Sequence, residues 1–274
     1  MKHFDLSRFW ITLKADNVLQ WKVALKLTLS MAFGLMIIYT VSFMQMDSQS
    51  YAAIVNNQLS NCSGITAFVL FMFMGVGGCY MTNNMRTKQQ RIAFLSLPAS
   101  NSEKFLSRYL WCTVGFLLMY IGAAVIADVL RMLLCLFVYG DMCGSVLAYM
   151  IGELISTKID LNVNGEPIWS VVFLLIASLL YGHSNYMLGG VIFRRFNWIL
   201  TTVVLYLLSF LLLPLLGLLE FYESDVDAFI DKSGPVALCV GLGVVCLLLT
   251  SFNYWLSYKV FCRTQVICNK MINI

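Results

Sequence analysis

Charge is what this chain has little of. Asp, Glu, Lys and Arg make up 12% of its 274 residues, against about 25% in a soluble globular domain. Histidine occurs only as His3 and His183, so an HExxH zinc motif cannot be assembled, and no GxxxxGK[ST] phosphate loop is present. The nine cysteines contain no CxxC pair, which removes the usual spacing of a zinc ribbon or a thioredoxin-like centre. Most lie in apolar runs, where a free cysteine behaves as a small hydrophobe. The stretch GHSNY, residues 182–186, lacks the final glycine of a GxSxG nucleophile elbow. A serine there would also need a general base, and no second histidine lies in an apolar run. No catalytic residue, cofactor or metal ligand is expected, nor a nucleic-acid partner, and the chain reads as a non-enzyme.

What fills the chain is grease. Hydrophobic residues are 60% of the total and the mean hydropathy is +0.80, so the bilayer is the solvent to assume. A charge at the bilayer centre costs several kcal/mol, and charge-free intervals therefore locate the spans. They are residues 27–46, 48–85, 109–127, 167–193, 196–219 and 233–258, each able to hold the roughly 20 residues of a crossing helix. The second interval opens with Gln49, Asn56, Asn57, Gln58 and Asn61, which reads as a loop. Six spans are predicted, at residues 23–46, 63–82, 106–138, 168–191, 198–219 and 235–260. Pro214 and Gly217 mark a break in the fifth, and the acidic residues 223–231 suit an exposed loop. No polar stretch could enclose a core of its own, so residues 1–274 form one all-α transmembrane domain.

Lys and Arg set the orientation. Fifteen of the 18 basic residues fall in the N-terminal segment, the second and fourth connections and the tail. The opposite loops carry Lys158 and Lys232 among many acids. Both termini are therefore expected in the cytoplasm. Residues 1–21 are not a span: Asp5, Arg8, Thr12, Asp16 and Gln20 form a polar stripe at helical spacing. The same charges interrupt what a cleavable leader would need to be apolar. With Phe9, Trp10 and Trp21 around the stripe, an amphipathic helix in the interface plane is predicted; a soluble overhang is the alternative.

Two polar groups stand inside predicted spans. Asp128 and Arg131 are three apart on one face of the third span and can pair. They read either as a functional intramembrane pair or as mutual neutralisation near the outer interface. His183, Ser184 and Asn185 lie in the fourth span. A translocation path through His183 and Asn185 is one reading, and hydrogen bonding between helices is the other.

The second connection is the best-specified polar element. In FLSLPASNSEKFLSRYL, Pro98 forces Leu97 out of helical geometry, and Ser100 with Glu103 matches the capping box S/T-x-x-E. One helix should end near Leu95 and the next begin at Ser100. Residues 83–99 would then hold a short helix, basic on one side and apolar on the other, with Arg91 and Phe94 on its outward surface. A connection that only joins two helices needs two to eight residues. At these residues the chain resembles the ABC-2 type exporter permeases. Leu97, Pro98, Ser100 and Lys104 match their LP-S---K turn, and LGGVIFRRFNWILTT and YWLSYKVFCRTQVI are similar to their fourth connection and their last span.

The resemblance covers nearly the whole chain and implies an elbow helix, six spans and a coupling helix docked on a separate ABC ATPase subunit. Arg86, Lys88, Arg91, Phe94, Leu97, Pro98, Glu103 and Lys104 would make that contact. It also implies a homodimer or heterodimer of permeases, an inner (cytoplasmic) membrane location and outward transport. The family often has re-entrant helices before the sixth span, and only residues 214–234 are available for them here. A non-transporting membrane protein, such as an assembly factor or sensor subunit, is the rival reading. A secondary transporter is weakened by the lack of buried acids other than Asp128.

Overall fold

A computed structural model describes residues 4–44, 51–85, 87–140, 143–156, 162–163, 166–193, 196–220 and 223–263. Nearly all of them are helical, as lipid demands: with no water to satisfy an exposed N–H or C=O, an open segment must close its hydrogen bonds within itself. The order is α1 (Leu6–Met44), α2 (Tyr51–Gly78), a 3-10 segment (Cys79–Met85), α3 (Lys88–Leu95) and α4 (Asn101–Leu110). A π turn (Trp111–Gly115), α5 (Phe116–Tyr139) and α6 (Val146–Ser156) follow. β1 (Asn162–Val163) and β2 (Glu166–Pro167) form a two-residue antiparallel pair, and α7 (Ile168–Ile192), α8 (Asn197–Glu220) and α9 (Glu223–Cys262) complete the chain. Among the described residues five helices are long and apolar enough to cross a membrane: Leu6–Met44, Val55–Asn83, Asn101–Val138, Trp169–Ile192 and Val236–Cys262. The chain is an all-α, multi-pass membrane protein.

Four boundaries differ from the sequence expectation. The N-terminal segment does not turn into the first span; α1 runs through both without a break. Nor is the polar start of the second interval a loop, since α2 is helical from Tyr51. Its Leu59, Cys62 and Thr66 are buried while Asn56, Asn57 and Asn61 are exposed, so the amides decorate one side of an amphipathic helix. Gln49 lies outside the described residues. α8 continues through Pro214 and Gly217, and α9 starts at Glu223, inside the stretch expected to be a loop. A proline costs a helix about 3 kcal/mol or more in water, but in lipid every non-helical alternative leaves backbone groups bare.

The chain packs as two compact units. One comprises Met1–Thr12, Gly75–Cys112 and Leu161–Ile274; the other comprises Leu13–Met74 and Thr113–Asp160. In the second unit Leu35, Tyr39 and Phe43 of α1 pack with Leu59 and Cys62 of α2, Tyr120, Ala124 and Ala127 of α5, and Val146 of α6. The Thr66 hydroxyl donates to the Cys62 carbonyl at 2.6 Å, so the Tyr39 hydroxyl, 2.6 Å away, donates to Thr66.

In the first unit α7 runs along α9 and meets the 3-10 segment. A Cβ at Gly78 would lie 2.8 Å from the Met187 backbone nitrogen, and one at Gly190 would lie 2.7 Å from Cys79 Cα. Only glycine permits that crossing. The 3-10 segment loosens the α-helical ladder, and its carbonyls are taken by side chains. Asn197 Nδ2 donates to Cys79 O at 2.6 Å, and Arg108 donates to Tyr80 O at 2.9 Å and Met81 O at 3.1 Å. Thr82 in turn donates to Gly190 O at 2.7 Å. Irregular backbone at membrane depth is tolerated where protein satisfies it in this way.

Candidate functional site

The polar connection between α2 and α4 folds as two capped helices. Thr87 is the N-cap of α3: Gln90 N donates to its hydroxyl and Thr87 N donates to Gln90 Oε1, both at 3.2 Å. α3 ends at Leu95, and Lys104 Nζ donates to the Leu95 carbonyl at 2.9 Å. A cation on the last carbonyls opposes the negative end of the helix dipole. α4 begins behind Ser100 as the spacing predicts, with Ser100 N donating to Glu103 Oε2 at 2.8 Å and Glu103 N donating to Ser100 Oγ at 3.3 Å. The other carboxylate oxygen is committed too. Asp5 N donates to Glu103 Oε1 at 2.8 Å, and Arg8 Nη2 reaches the same oxygen at 3.3 Å. One buried carboxylate thus serves the start of α1 and the start of α4.

This geometry reverses the expected faces of α3. Arg91 and Phe94 are buried, not turned outward. Phe94 meets Phe261 edge-on at 6.2 Å between centroids, and the Lys104 ammonium lies 5.9 Å from the Phe94 ring. An aromatic ring gains more by burial than an eight-residue helix can offer it in isolation. The outward face is made by Lys88, Gln89, Ala93, Ser96 and Ile92, which is 46% exposed. Pro98 is exposed and Leu97 half-buried, while Glu103 and Lys104 are buried. Arg86 lies outside the described residues.

In the N-terminal segment the polar stripe faces inward. Thr12, Asp16 and Gln20 of the polar stripe are buried, as is Phe9, while Trp10 and Trp21 are exposed. Phe9 packs its ring between Phe4, at 5.9 Å, and Trp10, at 5.7 Å. The stripe is therefore the side turned to protein, where buried polar groups find hydrogen-bond partners.

Asp128 and Arg131 do pair, at 2.9 Å, and both are buried. Sequence spacing did not indicate what else they hold. Asp128 accepts from Ser145 Oγ at 2.6 Å, Val146 N at 3.2 Å and Leu147 N at 3.3 Å, which makes it the cap of α6 from a different helix. Arg131 donates to the Gly144 carbonyl, and its guanidinium lies 4.5 Å from the centre of the Phe43 ring.

His183 and Asn185 are drawn into contacts between α7 and α9. His183 Nδ1 is 3.0 Å from the Tyr254 hydroxyl, and Asn253 Nδ2 donates to Asn185 Oδ1 at 2.9 Å and Ser184 Oγ at 3.1 Å. The Tyr109 ring stands edge-on to Tyr254 at 5.4 Å. Asn253, Tyr254, Arg108 and Asn197 were not singled out from the sequence. The available signal was that each is a polar side chain in or beside an apolar run. Among the described residues, no group of three or more His, Cys, Asp and Glu side chains is placed to hold a metal ion. Comparison with family models, with curated proteins and with solved structures finds no match for this chain.

Proposed function

We propose that this chain is the transmembrane permease subunit of an ATP-driven exporter of the ABC-2 type. It would couple hydrolysis on a separate ATPase chain to outward transport. The observation that carries the reading is α3. Two spans are joined by an eight-residue helix with its own capping box, fastened through Lys104 to α4 and through Phe94 to α9. Such a connection is more than a join requires, and its exposed face pairs a lysine with an apolar side chain, Lys88 and Ile92, on one helical stripe. α8, at 24 residues and about 36 Å, would be the sixth span. The distribution of basic residues supports a cytoplasmic side for both termini and α3. Permeases of this kind work in pairs, so a dimer with two ATPases is the expected assembly.

Ile92→Glu tests the assignment, because it alters the exposed face and leaves Arg91 and Phe94 in place. The tagged chain is purified from its own membranes and the co-purifying chains are identified. An ATPase should be captured with the native sequence and largely lost with Ile92→Glu at matched membrane level. Failure to recover any ATPase removes the reading and leaves a non-transporting membrane protein or a secondary transporter in its place. Undiminished recovery with Ile92→Glu removes α3 as the docking element and with it the observation that carries the reading.

A further inference from the structure

The first half of α1 carries a feature that membrane crossing does not require. Residues 27–44 contain no charge and cover about 27 Å, close to the roughly 30 Å of hydrocarbon. Lys26 therefore stands at the edge of the hydrocarbon, and Lys22 lies one turn, about 6 Å, further out. Trp21, 55% exposed, sits beside Lys22, and Val18, Leu25 and Leu29 share the same outward side. Lys14, Lys22 and Lys26 are all exposed and, among the described residues, none of them makes an ion pair. Asp16, the acid on this part of the helix, is buried.

We propose that Trp21, Lys22 and Lys26 form a binding strip for the headgroups of anionic phospholipids. A tryptophan is most stable at headgroup level, with its ring in the glycerol region and its N–H in the wet layer. Lysine stems lie along apolar surface while their ammonium groups reach outward. Two ammonium groups one turn apart at that depth meet the phosphate layer, and each lysine near an anionic surface contributes about fivefold in affinity. Lys14 lies about 18 Å beyond Lys26 along the axis. That exceeds the headgroup layer, about 5–7 Å, and the screening length of about 8 Å at physiological salt. It is a built-in control. The strip follows from the membrane setting alone and is independent of the transport reading.

The full chain is reconstituted in zwitterionic bilayers containing a small share of either phosphatidylglycerol or phosphatidylcholine brominated near the glycerol. The Trp21 signal is taken as the difference between the native chain and Trp21→Phe. Brominated phosphatidylglycerol should quench Trp21 more strongly than brominated phosphatidylcholine at equal mole fraction. Lys22→Gln/Lys26→Gln should bring the two to near equality, Lys22→Arg/Lys26→Arg should retain the preference, and Lys14→Gln should change it by less than about twofold. Equal quenching by the two lipids in the native chain overturns the proposal. So does a preference that survives the double glutamine variant, or the absence of quenching by either lipid, which would mean that an acidic protein surface covers the strip.

Discussion

Glu103 and Asp128 are both buried carboxylates that meet an arginine and the start of a helix, but they differ in how their arginines are placed. Asp128 faces Arg131 on its own helix, three residues on, and caps α6 through Ser145, Val146 and Leu147. Both partners are sealed, with side-chain exposures of 4% and 0%. Glu103 caps its own helix and reaches back 98 residues to the Asp5 backbone, while its arginine, Arg8, keeps 32% of its side chain exposed. The same chemistry therefore carries different risks. Loss of Asp128 strands a cation with no route to water, whereas loss of Glu103 leaves an arginine that can turn outward.

Asp128→Ala should have the largest effect, about 3–5 kcal/mol, because it leaves the buried Arg131 guanidinium uncompensated and α6 uncapped. An SDS titration of the folded chain in mixed micelles measures it. Asp128→Leu/Arg131→Met separates the two causes, since an apolar pair of similar volume is often no worse than a buried ion pair. Substantial recovery in the double variant assigns the loss to the stranded charge. A loss for Asp128→Ala no greater than for Glu103→Ala would break the comparison.

Glu103→Ala comes next, at about 1.5–3 kcal/mol for charge-assisted hydrogen bonds, of which Ser100→Ala should reproduce roughly 1 kcal/mol as a lost cap. The sharper readout is amide hydrogen exchange. Glu103→Ala should speed exchange at both helix starts, near residues 5–8 and 101–104, while Ser100→Ala should act on the second alone. Acceleration confined to α4 would show that the Asp5 contact does not hold α1.

What the sequence made legible were the features written in local chemistry. The five helices long and apolar enough to cross follow from the cost of charge in lipid, and the Ser100–Glu103 box from a four-residue spacing that only a helix start explains. The Asp128–Arg131 pair was visible for the same reason. Its role as the cap of α6 was not, because Ser145 is 17 residues away and nothing in a polar connection marks which hydroxyl will reach a carboxylate. The faces of α1 and α3 differ from the spacing for separate reasons. α3 is too short to bury Phe94 by itself, so α9 takes that ring through Phe261. The polar stripe of α1 at Thr12, Asp16 and Gln20 is buried while Trp10 and Trp21 stay exposed. The continuous helix through Pro214 was hidden for another reason, since a proline is tolerated inside a helix where lipid leaves a freed backbone no water to turn to.

Arg8→Gln should have the smallest effect, and it tests the comparison from its weak side. Arg8 contacts Glu103 Oε1 at 3.3 Å and Asp5 Oδ2 at 3.6 Å, distances at the long end for ion pairs, from a partly exposed side chain. Exposed pairs of this kind contribute about 0–1 kcal/mol and weaken with salt. Glu103 would still accept from Asp5 N and Ser100 N, each the backbone donor at the start of a helix, so its charge would remain balanced. The expected loss is below about 1 kcal/mol and shrinks further at high ionic strength, measured by the same SDS titration at low and high salt. Arg131→Gln in parallel should cost more and show little salt dependence, because screening does not reach a sealed pair. If Arg8→Gln proved as costly as Arg131→Gln, or as indifferent to salt, the Glu103 site would have to be as closed as the Asp128 site, and the distinction between a sealed pair and a half-open one would fail.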